Sequence, residues 1–147
     1  MENMEKNKKT YGMVHFDFND GNYFIDFDTG QITLFDFDNS CFCWYLFDLA
    51  AIWENGTGWA YHLSASERKG FMDDYFKTVL EGYKSETNID DAVLDDLDLF
   101  LKVNLVEALV SHFECLRDGD NGGIDEEWVT NAVKCIEEDL PYNGFFC

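Results

Sequence analysis

The hydrophobic period changes once along this chain, at Trp44, and that change limits the folds open to it. Before Trp44 the apolar residues come in short β-rich runs, at Tyr11–Val14 and at residues 22–27 and 31–37. Asp28-Thr29-Gly30 joins the last two, and Gly30 suits the positive φ of a tight turn, so they read as an antiparallel hairpin. From Trp44 onward apolar side chains recur at helical spacing. Strands gathered at one end and helices at the other predict an α+β chain, a small β-hairpin platform followed by four helices. At 147 residues it is long enough for one domain with a real core.

The first helix is expected over residues 44–54, with Tyr45, Leu49, Ile52 and Trp53 inward and Asn55-Gly56-Thr57-Gly58 ending it. Ser64-Ala65-Ser66-Glu67 is a capping box that opens a second helix to about Lys84. Asn88 is the expected cap of a third, reaching about Leu116 on a stripe of Leu94, Leu97, Leu101, Leu105, Leu109 and Phe113. Asp118 to Gly123 reads as a linking turn, since Val129 stands where a calcium loop would need its bidentate glutamate. A last helix is expected over residues 125–139, with Trp128, Ala132, Cys135 and Ile136 inward, stopped by Leu140-Pro141. Residues 1–10 are polar and lysine-containing and read as a flexible lead-in rather than a signal peptide.

Thirty acids against ten bases give a net charge of −20. That balance repels phosphate backbones and anionic lipid, which argues against nucleic-acid and membrane partners, and it favours metal ions or a cationic small molecule. No apolar run is long enough to span a bilayer. The five cysteines show no C-x-x-C spacing and read as reduced thiols of a cytoplasmic protein.

The chemistry concentrates in His15-Phe16-Asp17-Phe18-Asn19-Asp20-Gly21-Asn22, a polar loop between the first two β-runs. Its spacing is H-x-D-x-x-x-x-N, the form of a phosphoryl-transfer loop. An Asp at a strand end can accept the proton of an attacking hydroxyl, and an Asn one loop-turn later can turn back to a metal through its amide oxygen. The hairpin then presents Asp36, a hard oxygen ligand suited to Mg²⁺. His15 is expected to orient the loop by hydrogen bonding.

GMVHFDFNDGNYFID, followed by ITLFDFDN and WYLFDLA, resembles the aminoglycoside phosphotransferase and choline kinase-like family, which shares the protein kinase fold. The resemblance implies Asp17 as catalytic base, Asn22 and Asp36 as Mg²⁺ ligands, ATP as phosphoryl donor and a small-molecule acceptor. Asp36-Phe37-Asp38 stands where protein kinases carry D-F-G, and Asp48-Leu49-Ala50 resembles the family's D-L-A, whose Asp is usually structural. The resemblance covers the chain from about residue 11, and implies that residues 11–147 form the mainly helical C-terminal lobe. A glycine-rich nucleotide-covering loop and a phosphate-pairing lysine are not visible, so the N-terminal lobe is expected to be absent and activity weak. Asp20, Asp38 and Glu54 are candidate acceptor-binding residues, and Trp53 or Trp44 offers a face on which a cation could stack. The alternative is a non-catalytic kinase-like module that binds a partner or assembles with itself through the apolar surface a second lobe would cover.

Overall fold

The computed structural model describes residues 4–119 and 126–142. Four strands precede five helical segments: β1 (Tyr11–Val14), β2 (Tyr23–Ile25), β3 (Ile32–Leu34), β4 (Cys41–Trp44), α1 (Leu46–Ala60), α2 (Ala65–Glu86), a single turn α3 (Asp91–Leu94), α4 (Leu97–Arg117) and α5 (Glu126–Glu137). The architecture is α+β.

The strands form two antiparallel ladders, one nested inside the other in sequence. β1 pairs with β4, Tyr11 opposite Trp44 and Val14 opposite Cys41. Within that bracket β2 pairs with β3, Tyr23 opposite Leu34 and Ile25 opposite Ile32. The tip is as expected: Gly30 has φ +72°, and the Asp26 side chain accepts the Asp28 and Thr29 backbone N–H groups. Nesting has a direct consequence. The connections β1–β2 and β3–β4 both run between the same two ladders, so the two acidic loops must lie side by side.

Several elements differ from the expectations. The third strand ends at Leu34 rather than continuing through Phe37, because Asp36 takes φ +63° and breaks the ladder. Residues 41–44, not assigned a strand from sequence, form β4, whose partner lies some thirty residues back. α1 runs through Asn55-Gly56-Thr57-Gly58 to Ala60 instead of stopping there. Gly56 answers to packing: a Cβ at this position would lie 2.6 Å from the Tyr75 ring, so its absence lets α1 and α2 approach. The capping box at Ser64 is formed as expected. Asp90, not Asn88, caps the next segment through Ala92 N–H, and the expected single long helix is split into α3 and α4. The linking turn expected from Asp118 lies, beyond Gly119, outside the described residues, as does the first residue expected of the last helix.

The core forms where α1, α4 and α5 meet beneath the outer ladder. Leu46, Phe47, Leu49 and Ala50 pack with Phe100, Leu101, Leu105, Leu109, Ala132 and Cys135. Trp44 belongs to this core, and Phe113, expected on the inner stripe, is exposed. Cys41, Cys43 and Cys115 are free thiols as expected, whereas Cys135 is disulfide-bonded, a correction to the reading of all five as reduced. Among the described residues no helix is long and apolar enough to cross a membrane.

Candidate active site

Asp48, in the first turn of α1, fixes the main chain of the His15–Asn22 loop. Its two carboxylate oxygens accept the backbone N–H groups of His15 at 2.8 Å and Phe16 at 2.9 Å. Charge-assisted bonds of this kind are the stronger sort. They hold Phe16 at φ +71°, a left-handed conformation that costs a non-glycine residue on the order of 1–3 kcal/mol. The Phe16 ring stacks on Phe47, centroids 4.2 Å apart and planes 7° from parallel, so the core offsets that strain.

The loop's polar residues converge on Asp17. Asn22, buried, donates its amide to the Asp17 main-chain oxygen at 2.8 Å and to the carboxylate at 3.2 Å. Asn19 donates to the other carboxylate oxygen at 3.0 Å and accepts from Gly21 N–H at 2.8 Å. With its NH₂ committed to Asp17, Asn22 keeps its side-chain oxygen for another partner. Asn22 and Phe35 share a backbone bond of 3.1 Å that extends the inner ladder past β2 and β3.

His15 ties the two loops together. Its Nε2–H donates to the Phe35 carbonyl at 2.9 Å, one residue before Asp36, and its ring packs against Phe37 at 4.7 Å. Asp36 itself is exposed and, among the described residues, makes no hydrogen bond or ion pair. Among the described residues, two of the three non-glycine residues with positive φ, Phe16 and Asp36, fall in these adjacent loops. Among the described residues no three His, Cys, Asp or Glu side chains converge as a metal cluster. What the loops offer instead are exposed carboxylates, Asp36 and Asp38, and the Asn22 side-chain oxygen, which makes no hydrogen bond among the described residues. All are hard oxygen donors of the kind a divalent ion takes.

An open cavity of about 370 Å³ lies against the loop. Phe16 to Asn19 form one side. Phe47, Ala51, Glu54 and Asn55 of α1 form a second, and Asn104, Glu107, Ala108 and Ser111 of α4 a third, each set at the spacing of one helix face. Burial pushes the Glu54 carboxyl up to about 7, with nearby Glu107 adding to the effect and the Asn104 amide opposing it. Burial raises Glu107 as well.

Of the three candidate acceptor-binding residues, Glu54 shares this cavity with Asp17, while Asp20 and Asp38 do not line it. Asp20 accepts from Trp59 Nε1–H at 2.7 Å and from the Tyr23 hydroxyl at 3.1 Å, which moors the loop to α1. Asp38 is exposed on the β3–β4 connection. Neither tryptophan offered for cation stacking faces the cavity. Trp44 is in the core with the chain's own Lys6 Nζ 4.7 Å from its ring, and Trp53 packs toward Tyr142. The α4 wall was missed from sequence. Its signal was Asn104, a polar residue set among Phe100, Leu101 and Leu105 on an otherwise apolar face.

The chain is similar to amicoumacin kinase of Bacillus subtilis (strain 168), 28% identical over 148 residues covering 99% of this chain and 42% of the relative. Its fold is similar to a solved amicoumacin kinase, hAmiN, in complex with AMP-PNP, Ca²⁺ and Ami. The TM-score is 0.68 at 25% identity, covering 95% of this chain and 41% of that one. The chain thus spans about two fifths of the length of the relatives it matches. The family model described as "phosphotransferase enzyme family" matches residues 1–86, which include the whole of both acidic loops and Asp48. The chain belongs to the phosphotransferase enzyme family.

Proposed function

We propose that residues 11–147 are the C-terminal lobe of a small-molecule kinase, preceded by a lead-in at residues 1–10, that transfers the γ-phosphoryl group of ATP to a hydroxyl of a cationic acceptor. The observation that carries this reading is the junction of the two loops: Asn22 on Asp17, and His15 on the carbonyl preceding Asp36. A cavity able to hold an acceptor opens directly against Asp17.

In this reading Asp17 is the base. The acceptor oxygen bonds to the γ-phosphorus, the bond to the β–γ bridging oxygen breaks, ADP leaves, and the hydroxyl proton passes to the Asp17 carboxylate. Asn19 and Asn22 aim that carboxylate. His15 is a positioning residue that sets the spacing between base and metal ligands. Asn22 and Asp36 would hold Mg²⁺, which would supply neutralisation of the charge that develops during transfer. The solved relative's complex with AMP-PNP and Ca²⁺ supports a nucleotide and a divalent ion in this family. The chain's acidity suits a cytoplasmic setting.

The 147 residues contain no glycine-rich phosphate loop or strand-borne lysine ahead of His15. We therefore expect weak turnover unless a nucleotide-binding lobe is supplied. The test is Mg·ATP-dependent phosphorylation across a panel of cationic hydroxyl compounds, by this chain and by Asp17→Asn. Transfer abolished by the substitution supports the reading; transfer unchanged by it contradicts the role of Asp17.

A second reading, a non-catalytic module that binds a partner or self-assembles, draws on a different observation. The inner ladder exposes Phe24 and Ile32 at 70% and 61%, and Phe27 beside them at 93%. Surface of that kind seeks a cover. Concentration-dependent sedimentation, together with absent Mg·ATP binding, would favour it.

A further inference from the structure

We propose that Trp59 and Asp20 form a clamp that sets the aim of Asp17. Asp20 is then a positioning residue of the loop rather than one that meets the acceptor. The inference rests on reading Asp17 as the base. It goes beyond that reading by naming what holds the half of the loop that Asp48 does not reach.

The first observation is a stripe on α1. Asp48, Asn55 and Trp59 recur at i, i+7 and i+11, which at about 100° per residue puts all three within about 40° of one another. Each holds the loop. Asp48 accepts the His15 and Phe16 N–H groups, the Asn55 amide donates to the Phe18 carbonyl at 3.2 Å, and the Trp59 indole N–H donates to the Asp20 carboxylate at 2.7 Å. The loop residues are met in the same order as the helix residues, so the loop lies along α1.

The second observation is the place of Asp20 between the two side chains that aim the base. Asn19 precedes it and Asn22 follows it, and both donate to the Asp17 carboxylate. A backbone bond from Asn22 N–H to the Asn19 carbonyl, 2.9 Å, closes the turn on which Asp20 sits. A shift of Asp20 therefore moves both donors. One of its carboxylate oxygens accepts from Trp59 and the other from the Tyr23 hydroxyl at 3.1 Å, so it is held from α1 on one side and from β2 on the other.

Trp59 itself is 58% exposed. A ring so open to water adds little to the core. What sets it apart from another aromatic side chain is its N–H, a donor only. Paired with a carboxylate, that donor makes a charge-assisted bond. Asp20 does not line the cavity and each of its oxygens already has a donor, which leaves an acceptor little to bind.

Amide hydrogen exchange and the Asp17 carboxyl carbon signal, followed in the ¹³C,¹⁵N-labelled chain without nucleotide, test the clamp. Trp59→Phe keeps a ring and removes the N–H. It is expected to speed exchange at Gly21 and Asn22 about fivefold and to shift the Asp17 signal, while the His15, Phe16 and helix amides change less than twofold. Asp20→Ala should speed exchange of the Trp59 indole N–H by a similar factor, and adding Trp59→Phe to it should accelerate the loop no further. Unchanged exchange at Gly21 and Asn22, acceleration spread through α1, or two effects that multiply would overturn the proposal. In the phosphorylation assay Trp59→Phe should lower kcat severalfold with the acceptor KM unchanged. A raised KM at constant kcat in Asp20→Ala would make Asp20 an acceptor contact and overturn the clamp. Loop protection lost in Trp59→Phe, with no phosphoryl transfer by the wild-type chain, would defeat the kinase reading and leave the clamp standing. Transfer abolished by Asp17→Asn and untouched by Trp59→Phe would do the reverse.

Discussion

The two ladders have the same antiparallel construction and opposite surroundings. The outer ladder, β1–β4, lies on the helical core: Val14 is buried, Trp44 packs toward Phe100, and Asp48 of α1 holds the chain as it leaves β1. The inner ladder, β2–β3, leaves its apolar residues Phe24, Ile25, Ile32 and Leu34 exposed. Covering decides what each can do. The outer ladder gains burial energy and anchors the two acidic loops. The inner ladder gains little burial and offers an apolar face to whatever docks there, a nucleotide lobe in the proposed reading.

The contrast can be broken hardest on the core side. Phe100→Ala removes a fully buried ring packed among Trp44, Phe47 and the α1 leucines, and is expected to cost about 3–5 kcal/mol. Urea unfolding should show the loss as a shifted midpoint with little change in slope.

Asp48→Ala comes next. It removes the acceptor of two loop N–H groups at a strained residue, and is expected to cost about 2–3 kcal/mol. It should also accelerate amide exchange at His15 and Phe16 before the helices are affected. If those amides stay protected, Asp48 does not hold the loop.

Glu54→Gln tests the cavity between the two regions and should stabilise. The carboxyl titrates from an ordinary value of 4.5 up to about 7 on folding. The folded chain therefore holds this proton more tightly, and stability falls as pH rises from about 4.5, with the full cost in place above 7. Glutamine carries no such cost. The variant is expected to gain about 1–3 kcal/mol at pH 8 and close to nothing at pH 4, compared by thermal or urea unfolding at the two pH values.

The smallest effect belongs to the inner ladder. Phe24→Ser or Ile32→Ser should change stability by less than about 1 kcal/mol, since these side chains already face solvent. Any self-association of the chain should fall with either substitution in sedimentation. A core-sized loss at Ile32 would mean that the inner ladder is covered after all.

What could be read from the sequence divides along the same line, local against distant. The Asp28-Thr29-Gly30 tip, the Ser64–Glu67 capping box and the H-x-D-x-x-x-x-N loop involve neighbours in sequence, so residue type alone exposes them. β4 was missed because Cys41–Trp44 becomes a strand only by pairing with Tyr11–Val14. Gly56 was misread as a helix end because its reason, the Tyr75 ring, comes from another helix. The cavity was half legible: Glu54 drew notice as a charge near the loop, while Asn104 and Glu107 meet it only once α1 packs on α4. The side-by-side loops follow from nested ladders, which need β4 to be seen.

The central claim is that these two loops form one metal-binding, phosphoryl-transferring centre, and paramagnetic Mn²⁺ tests it most directly. Titrated into the ¹⁵N-labelled chain, Mn²⁺ is expected to broaden the amide signals of residues 17–22 and 35–38 together, at the lowest concentrations. Asp36→Asn should abolish that shared broadening while leaving weak effects on the acidic surface of α2 and α3. Broadening that begins on those helices, or that persists at both loops in Asp36→Asn, would contradict it.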